Sequence, residues 1–170
     1  MRLKCYDYSA PGTYFITICT SGKRCVLSAI TVGDGLAPPA VKLTNIGRIV
    51  ESQIEAIPQR FPSVTVDKYV IMPNHVHLLI SLQGNACLGG SPIAPGEAGE
   101  ASLSPTVGDV IGALKSLCAH QARPYLGEKS LWQRSYYDHV VRGERDYGEI
   151  WAYMEYNPLR WAEDSLYSEE

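Results

Sequence analysis

No apolar run in this sequence approaches the roughly 18 residues that a membrane-spanning helix requires. The first residues, Met1 to Asp7, hold no apolar stretch of the secretory kind. Cysteine is scarce: the five thiols at 5, 19, 25, 87 and 118 are scattered, odd in number and never spaced Cys-x-x-Cys. That excludes a disulfide framework and a Cys-rich zinc site, and it fits reduced thiols in a cytoplasm. No glycine-rich nucleotide-binding loop is present. Charge is also sparse, at 19% of residues, but 45% are apolar, enough for an ordinary core and too many for wholesale disorder. A chain of 170 residues with these properties is expected to be soluble, cytoplasmic and a single domain spanning 1–170.

The net charge of −3 speaks against a polyanionic partner only until its distribution is read. Seven acids fall in two base-free stretches: Glu97, Glu100 and Asp109 within 97–109, and Glu163, Asp164, Glu169 and Glu170 within 161–170. The remainder holds 15 bases against 11 acids, a mildly positive body that permits a nucleic-acid partner without demanding one.

Two segments interrupt the apolar patterning. Residues 31–40 are turn-rich, and 84–108 carry six Gly and three Pro with few large side chains. The second cannot pack a core and reads as a flexible Gly/Pro/Ala-rich excursion. Between them, Tyr14 to Thr20 is β-branched and aromatic, hence a strand. Thr44 or Asn45 caps a helix carrying Ile46, Ile49, Val50, Ile54 and Ile57, which Pro58 is expected to stop. Val64 to Val66 and Tyr69 to Leu82 read as strands, the latter broken at Pro73. Ser104 or Thr106 starts a second helix with Val107, Val110, Ile111, Leu114, Leu117 and Cys118 on one face, ending at Pro124. Leu131 to Val141 reads as a strand, and Glu144 to Tyr156 as a helix that Pro158 ends. The order β, α, β, β, α, β, α predicts an α+β fold: one antiparallel sheet of the ferredoxin-like (RRM-like) kind with helices packed on it.

Chemistry concentrates in two places. In Met72-Pro73-Asn74-His75-Val76-His77-Leu78-Leu79, strand alternation puts His75 and His77 on one face and Val76 and Leu78 on the other. Two imidazoles so placed can converge on a divalent cation. The spacing alone equally describes a hydrogen-bonded pair at a sheet surface. In the last helix, Tyr147, Ile150, Trp151 and Met154 form the expected buried stripe, with Tyr153 on its flank and Asn157 one turn further on. By spacing alone, Tyr153 as a filler of the seam between helix and sheet is the favoured reading.

Taken together, Met72-Pro73-Asn74-His75-Val76-His77-Leu78-Leu79 and Tyr153-x-x-x-Asn157-Pro158 resemble the single-tyrosine HUH transposases. These are the insertion-sequence-200-like enzymes, and more closely the REP-associated tyrosine transposases. The segment Leu131-Trp132-Gln133-Arg134-Ser135-Tyr136-Tyr137-Asp138-His139-Val140-Val141-Arg142 is similar to the family's Trp-Gln…His…Arg run before its last helix. Lys115 stands where the family tends to carry a base. The resemblance implies a ferredoxin-like sheet, Tyr153 as the nucleophile, and His75, His77 and Asn157 as ligands of a divalent metal, Mg²⁺ or Mn²⁺. It implies cleavage of single-stranded DNA, often beside a hairpin, with a 5′-phosphotyrosine link and a free 3′-OH that can reverse the step. Neutral imidazoles and an amide oxygen would leave the ion its full charge. A phenol of pKa about 10 needs such help to attack at neutral pH.

Weaker candidates surround this set. Lys115, Arg134 and Arg142 are candidate phosphate contacts, and Tyr136 or Tyr137 a platform for unpaired bases. His139 is expected to support the site rather than ligate, and His120 to be a surface residue. The resemblance to the REP-associated branch tilts the expectation towards a monomer over a homodimer. Two other classes stay open: a nucleic-acid-binding module without chemistry, and a metal phosphoesterase using water, for which Tyr153 would be dispensable.

Overall fold

A computed structural model describes residues 10–31, 40–83 and 105–168 of the chain. Strand β1 (Gly12–Cys19) pairs antiparallel with β5 (His75–Leu82) on one side and with β6 (Tyr137–Val140) on the other. Strand β4 (Val64–Ile71) pairs antiparallel with β5, giving the order β4-β5-β1-β6. This is the ferredoxin-like arrangement expected. A separate ribbon of β2 (Ser28–Thr31) and β3 (Ala40–Leu43) precedes the first helix; the sequence reading did not include it.

The sheet's two faces do different work. Tyr14, Ile16 and Ile18 of β1 and Val76, Leu78 and Ile80 of β5 are fully buried on one face. They share a core with Ile46, Val50 and Ile54 of helix α1 (Asn45–Glu55) and Val110, Ile111 and Leu114 of helix α3 (Val107–Leu126). On the other face, Phe15, Leu79 and Met154 form a small cluster beneath helix α4 (Gly143–Tyr156), with Tyr147 and Ile150 packed partly against it. By strand alternation Thr17, Cys19, His75 and His77 share that second face. The face that carries the histidines is thus the thinly covered one.

Local chemistry explains the boundaries. The Thr44 hydroxyl accepts from Gly47 N at 3.0 Å and caps α1. A Cβ on Gly47 would lie 2.0 Å from the Leu27 carbonyl oxygen, so only glycine lets α1 sit this close. Thr106 and Asp109 form a reciprocal capping box at the start of α3.

Several sequence expectations need correction. Pro58 opens a short helix α2 (Ile57–Arg60) after a break at Ala56, instead of ending helical structure; proline is tolerated in a first turn. Pro124 lies within α3, whose stop is Gly127 at φ +60°. Val64–Val66 and Tyr69–Ile71 belong to one strand, β4, with a bulge between Val66 and Lys68. The strand expected from Leu131 to Val141 shrinks to β6, plus a bridge between Trp132 and Thr20. The intervening carbonyls of Gln133, Arg134 and Ser135 accept from the Lys115 ammonium instead of a neighbouring strand. Trp151, expected in the buried stripe, is 40% exposed and lies against the Lys68 ammonium. The excursion expected at 84–108 lies outside the described residues up to 104. No helix among the described residues is long and apolar enough to cross a membrane.

Candidate metal and tyrosine site

His75 and His77 project from the start of β5, where both are buried to within 2% of fully inaccessible. Their Nε2 atoms lie 3.0 Å apart. Burial pushes the His75 pKa down to about 4, against a partial upward pull from Asp164, and the Lys23 ammonium adds to the lowering. Burial, then His75 itself, pushes His77 well below its ordinary value. Both rings are therefore neutral at physiological pH.

The atoms behind the rings decide which nitrogens face inward. His75 Nδ1 lies 2.8 Å from Asn74 Oδ1. The Asn74 amide is fixed in that sense because its Nδ2 donates to the carbonyls of Leu166, at 2.8 Å, and Lys23, at 3.3 Å. His75 must then carry its proton on Nδ1 and turn the Nε2 lone pair towards His77. His77 Nδ1 lies 2.9 Å from the Thr17 hydroxyl, which can donate or accept. With Nδ1 of His77 also protonated, two Nε2 lone pairs meet head-on, an arrangement that a cation relieves.

An acidic oxygen completes the group. His75 Nε2, His77 Nε2 and an Asp164 carboxylate oxygen all lie within 4.8 Å of one another. The Asp164 side chain is only 3% exposed, and its Oδ2 is 3.9 Å from His75 Nε2. Asn157, at the end of α4, donates from Nδ2 to Asp164 Oδ2 at 2.8 Å, while its own Oδ1 is buried without a partner. An unpaired buried amide oxygen is costly unless something electropositive faces it. Two imidazole nitrogens and a carboxylate fit a divalent cation with mixed N/O preference.

Tyr153 reaches the same place from α4, and its hydroxyl lies 3.3 Å from His77 Nε2. Its ring stands edge-on to Phe15, with centroids 6.1 Å apart, and it remains 46% exposed. Burial and then Asp164 raise its pKa above 10, an effect its contact with Asn157 partly offsets. The phenol is thus protonated at neutral pH, with clefts on both sides of it. One, of about 460 Å³, opens towards β1 and β6; another, of about 420 Å³, opens towards Arg160 and Glu163.

The structure brings His75, His77, Tyr153 and Asn157 together. The Lys115 ammonium donates to the carbonyls of residues 133–135. Arg134 and Arg142 are exposed. His139 stands opposite Phe15 in the sheet register and bonds Asp146 of α4 at 2.9 Å, tying β6 to the helix that carries Tyr153. Tyr136 packs partly against the main core, whereas Tyr137 is 51% exposed. Sequence reasoning missed Asp164, Asn74 and Lys23. Asp164 lies in an acidic tail that reads as solvated charge, and only the fold shows that the tail returns to the sheet. Asn74 stood in plain view beside His75, with no periodicity to single it out.

A Haemophilus influenzae protein, itself described as uncharacterized, is 34% identical to the chain over 170 residues, spanning 98% of this chain and 91% of that protein. The chain belongs to that protein's family. No established family profile matches it. Its fold is similar to a solved structure of a REP-associated tyrosine transposase bound to a REP hairpin, with a TM-score of 0.56. The alignment covers 94% of this chain and 74% of that one at 18% identity. A Deinococcus radiodurans protein described as a transposase aligns over 91% of this chain and 95% of its own, at 18% identity. Its TM-score of 0.46 is too low to carry weight.

Proposed function

We propose that this protein is a metal-dependent DNA strand transferase that cuts and rejoins single-stranded DNA through Tyr153. The observation that carries the reading is the 3.3 Å approach of the Tyr153 hydroxyl to a buried His75–His77–Asp164 group. Such a convergence of a phenol on a ligand set serves phosphoryl transfer better than packing. The hairpin-bound transposase of similar fold supports DNA as the partner class.

The geometry supports the following roles. His75, His77 and Asp164, with the orphaned Oδ1 of Asn157, would hold Mg²⁺ or Mn²⁺. Bound there, the ion would supply Lewis-acid polarisation of a phosphate oxygen and favour the phenolate. Asn74 fixes the His75 tautomer, and Thr17 orients His77. Phe15 and Met154 seat the Tyr153 ring and the helix behind it. Tyr153 Oη forms a bond to phosphorus as the bond to the 3′ oxygen breaks. The phenol's proton leaves to solvent through the open cleft, and the departing oxygen takes one up as a 3′-OH. The new phosphotyrosine is a diester like the one broken, so the 3′-OH can attack it in reverse without an external energy source.

Incubating the protein and a Tyr153→Phe variant with end-labelled single-stranded DNA carrying hairpins, in Mg²⁺ or Mn²⁺, tests this. Expected are a nick and a covalent adduct with the downstream strand, both abolished in Tyr153→Phe and by chelator. Nicking that survives Tyr153→Phe without an adduct would instead mark a water-using phosphoesterase.

A further inference from the structure

The cleft of about 460 Å³ between β1, β6 and α4 is lined by Phe15, Thr17, Gln133, Tyr136 and Tyr137, and shares His77 and Tyr153 with the metal and tyrosine site. Its chemistry is unlike that of the site proper. Tyr137 is a large ring left 51% exposed on the last strand of the sheet. In the sheet register it stands opposite Thr17, which stands opposite His77, so all three lie in one row across the face. Two inter-strand steps of about 4.8 Å place Tyr137 roughly 10 Å from the histidine strand, about one nucleotide's reach from the point of chemistry.

Gln133 supplies the second element. Its backbone is tightly held: the N–H donates to the Cys19 carbonyl at 3.0 Å, and its own carbonyl accepts from Lys115 at 2.7 Å. Its side-chain amide has no partner among the described residues. A fixed backbone carrying a free donor–acceptor pair into an aromatic cleft suits a ligand with a flat face and a hydrogen-bonding edge. Exposed Arg134, next in sequence, adds positive charge beside it. The Lys115 bonds to residues 133–135 thus serve this cleft by fixing its wall.

We infer that this cleft is a subsite for one unpaired nucleobase adjoining the reacting phosphate, with Tyr137 as the stacking surface and the Gln133 amide reading the base edge. The inference rests on the function proposed above and adds the recognition of a base to it. Neither residue takes part in the chemistry: both are positioning and specificity residues. Stacking is tolerant of base identity, whereas a glutamine amide favours a base presenting an adjacent donor and acceptor, as adenine does.

The test compares two DNA hairpins of equal charge, one with ordinary single-stranded flanks and one whose flanking nucleotides are abasic. Affinities are measured at one fixed salt concentration in a Tyr153→Phe background, so that no strand is cut. The protein should prefer the ordinary flanks. Adding Tyr137→Ala should reduce that preference by roughly 5- to 150-fold, the worth of one stacked base, and Tyr137→Phe should keep it. Gln133→Ala should leave stacking intact and flatten any preference among bases in the flank. If Tyr137→Ala binds the hairpins and discriminates as well as its parent, the subsite is overturned while the strand-transferase reading stands. If neither hairpin is bound at all, both fall.

Discussion

Asn74 shows how much of this site depends on a residue that cannot itself take part in the chemistry. Its amide holds the Nδ1 proton of His75 on one side and two backbone carbonyls on the other. Replacing it with alanine frees His75 to adopt the other tautomer, in which Nε2 no longer offers a lone pair. Asn74→Ala should therefore weaken Mn²⁺ binding about 10- to 100-fold, read by calorimetry on the folded protein, and Thr17→Val should have a milder effect. Unchanged affinity in Asn74→Ala would remove the tautomer argument. At this scale the sequence was partly legible. The His-x-His spacing and the Tyr153 to Asn157 interval could be read directly, because strand and helix periodicity dictate which side chains share a face. Asp164 could not, since its place depends on how the chain after α4 turns back, for which local pattern holds no information. The surroundings of Lys115 were hidden for a related reason: a cation on a helix looks free until the loop carbonyls it binds are seen.

Among the elements, helices and central strands were readable because each buries a continuous stripe or an alternating face. The extent of β6 was not, because residues 133–135 just before it trade strand pairing for Lys115. The β2–β3 ribbon was missed because it packs little and carries no strong alternation. The helix–turn contacts make sharp predictions. Gly47→Ala forces a methyl group into the Leu27 carbonyl and should cost about 1–3 kcal/mol of stability, seen as a lower urea midpoint. A neutral result would mean that α1 can shift away from that turn. Thr106→Ala removes the hydroxyl of the capping box and should cost about 0.5–2 kcal/mol, measured in the same way. The His139–Asp146 bond and the adjoining Gly143, at φ +84°, set how α4 leaves the sheet and so where Tyr153 arrives.

For the whole molecule, a ferredoxin-like sheet buries one face thoroughly and leaves the other to a single helix and a returning tail, and the candidate site occupies that second face. Burying two neutral imidazoles there has a consequence in acid. Above about pH 6.5 both are neutral, folded or unfolded, and their contribution to stability is complete. As the pH falls towards the folded His75 value of about 4, the unfolded chain binds protons that the folded one refuses, so stability drops. Urea midpoints taken in chelator between pH 7.5 and 4.5 should fall steeply for the natural protein and less for the double variant His75→Gln, His77→Gln. Equal slopes would show that the histidines are not the groups responsible. The central claim is that Tyr153 becomes covalently joined to DNA. Its most direct test is mass spectrometry of tryptic peptides after reaction with single-stranded hairpin DNA and Mn²⁺, followed by nuclease digestion. The account predicts a nucleotide adduct on the peptide containing Tyr153 and on no other; strand cleavage with that peptide unmodified would contradict it.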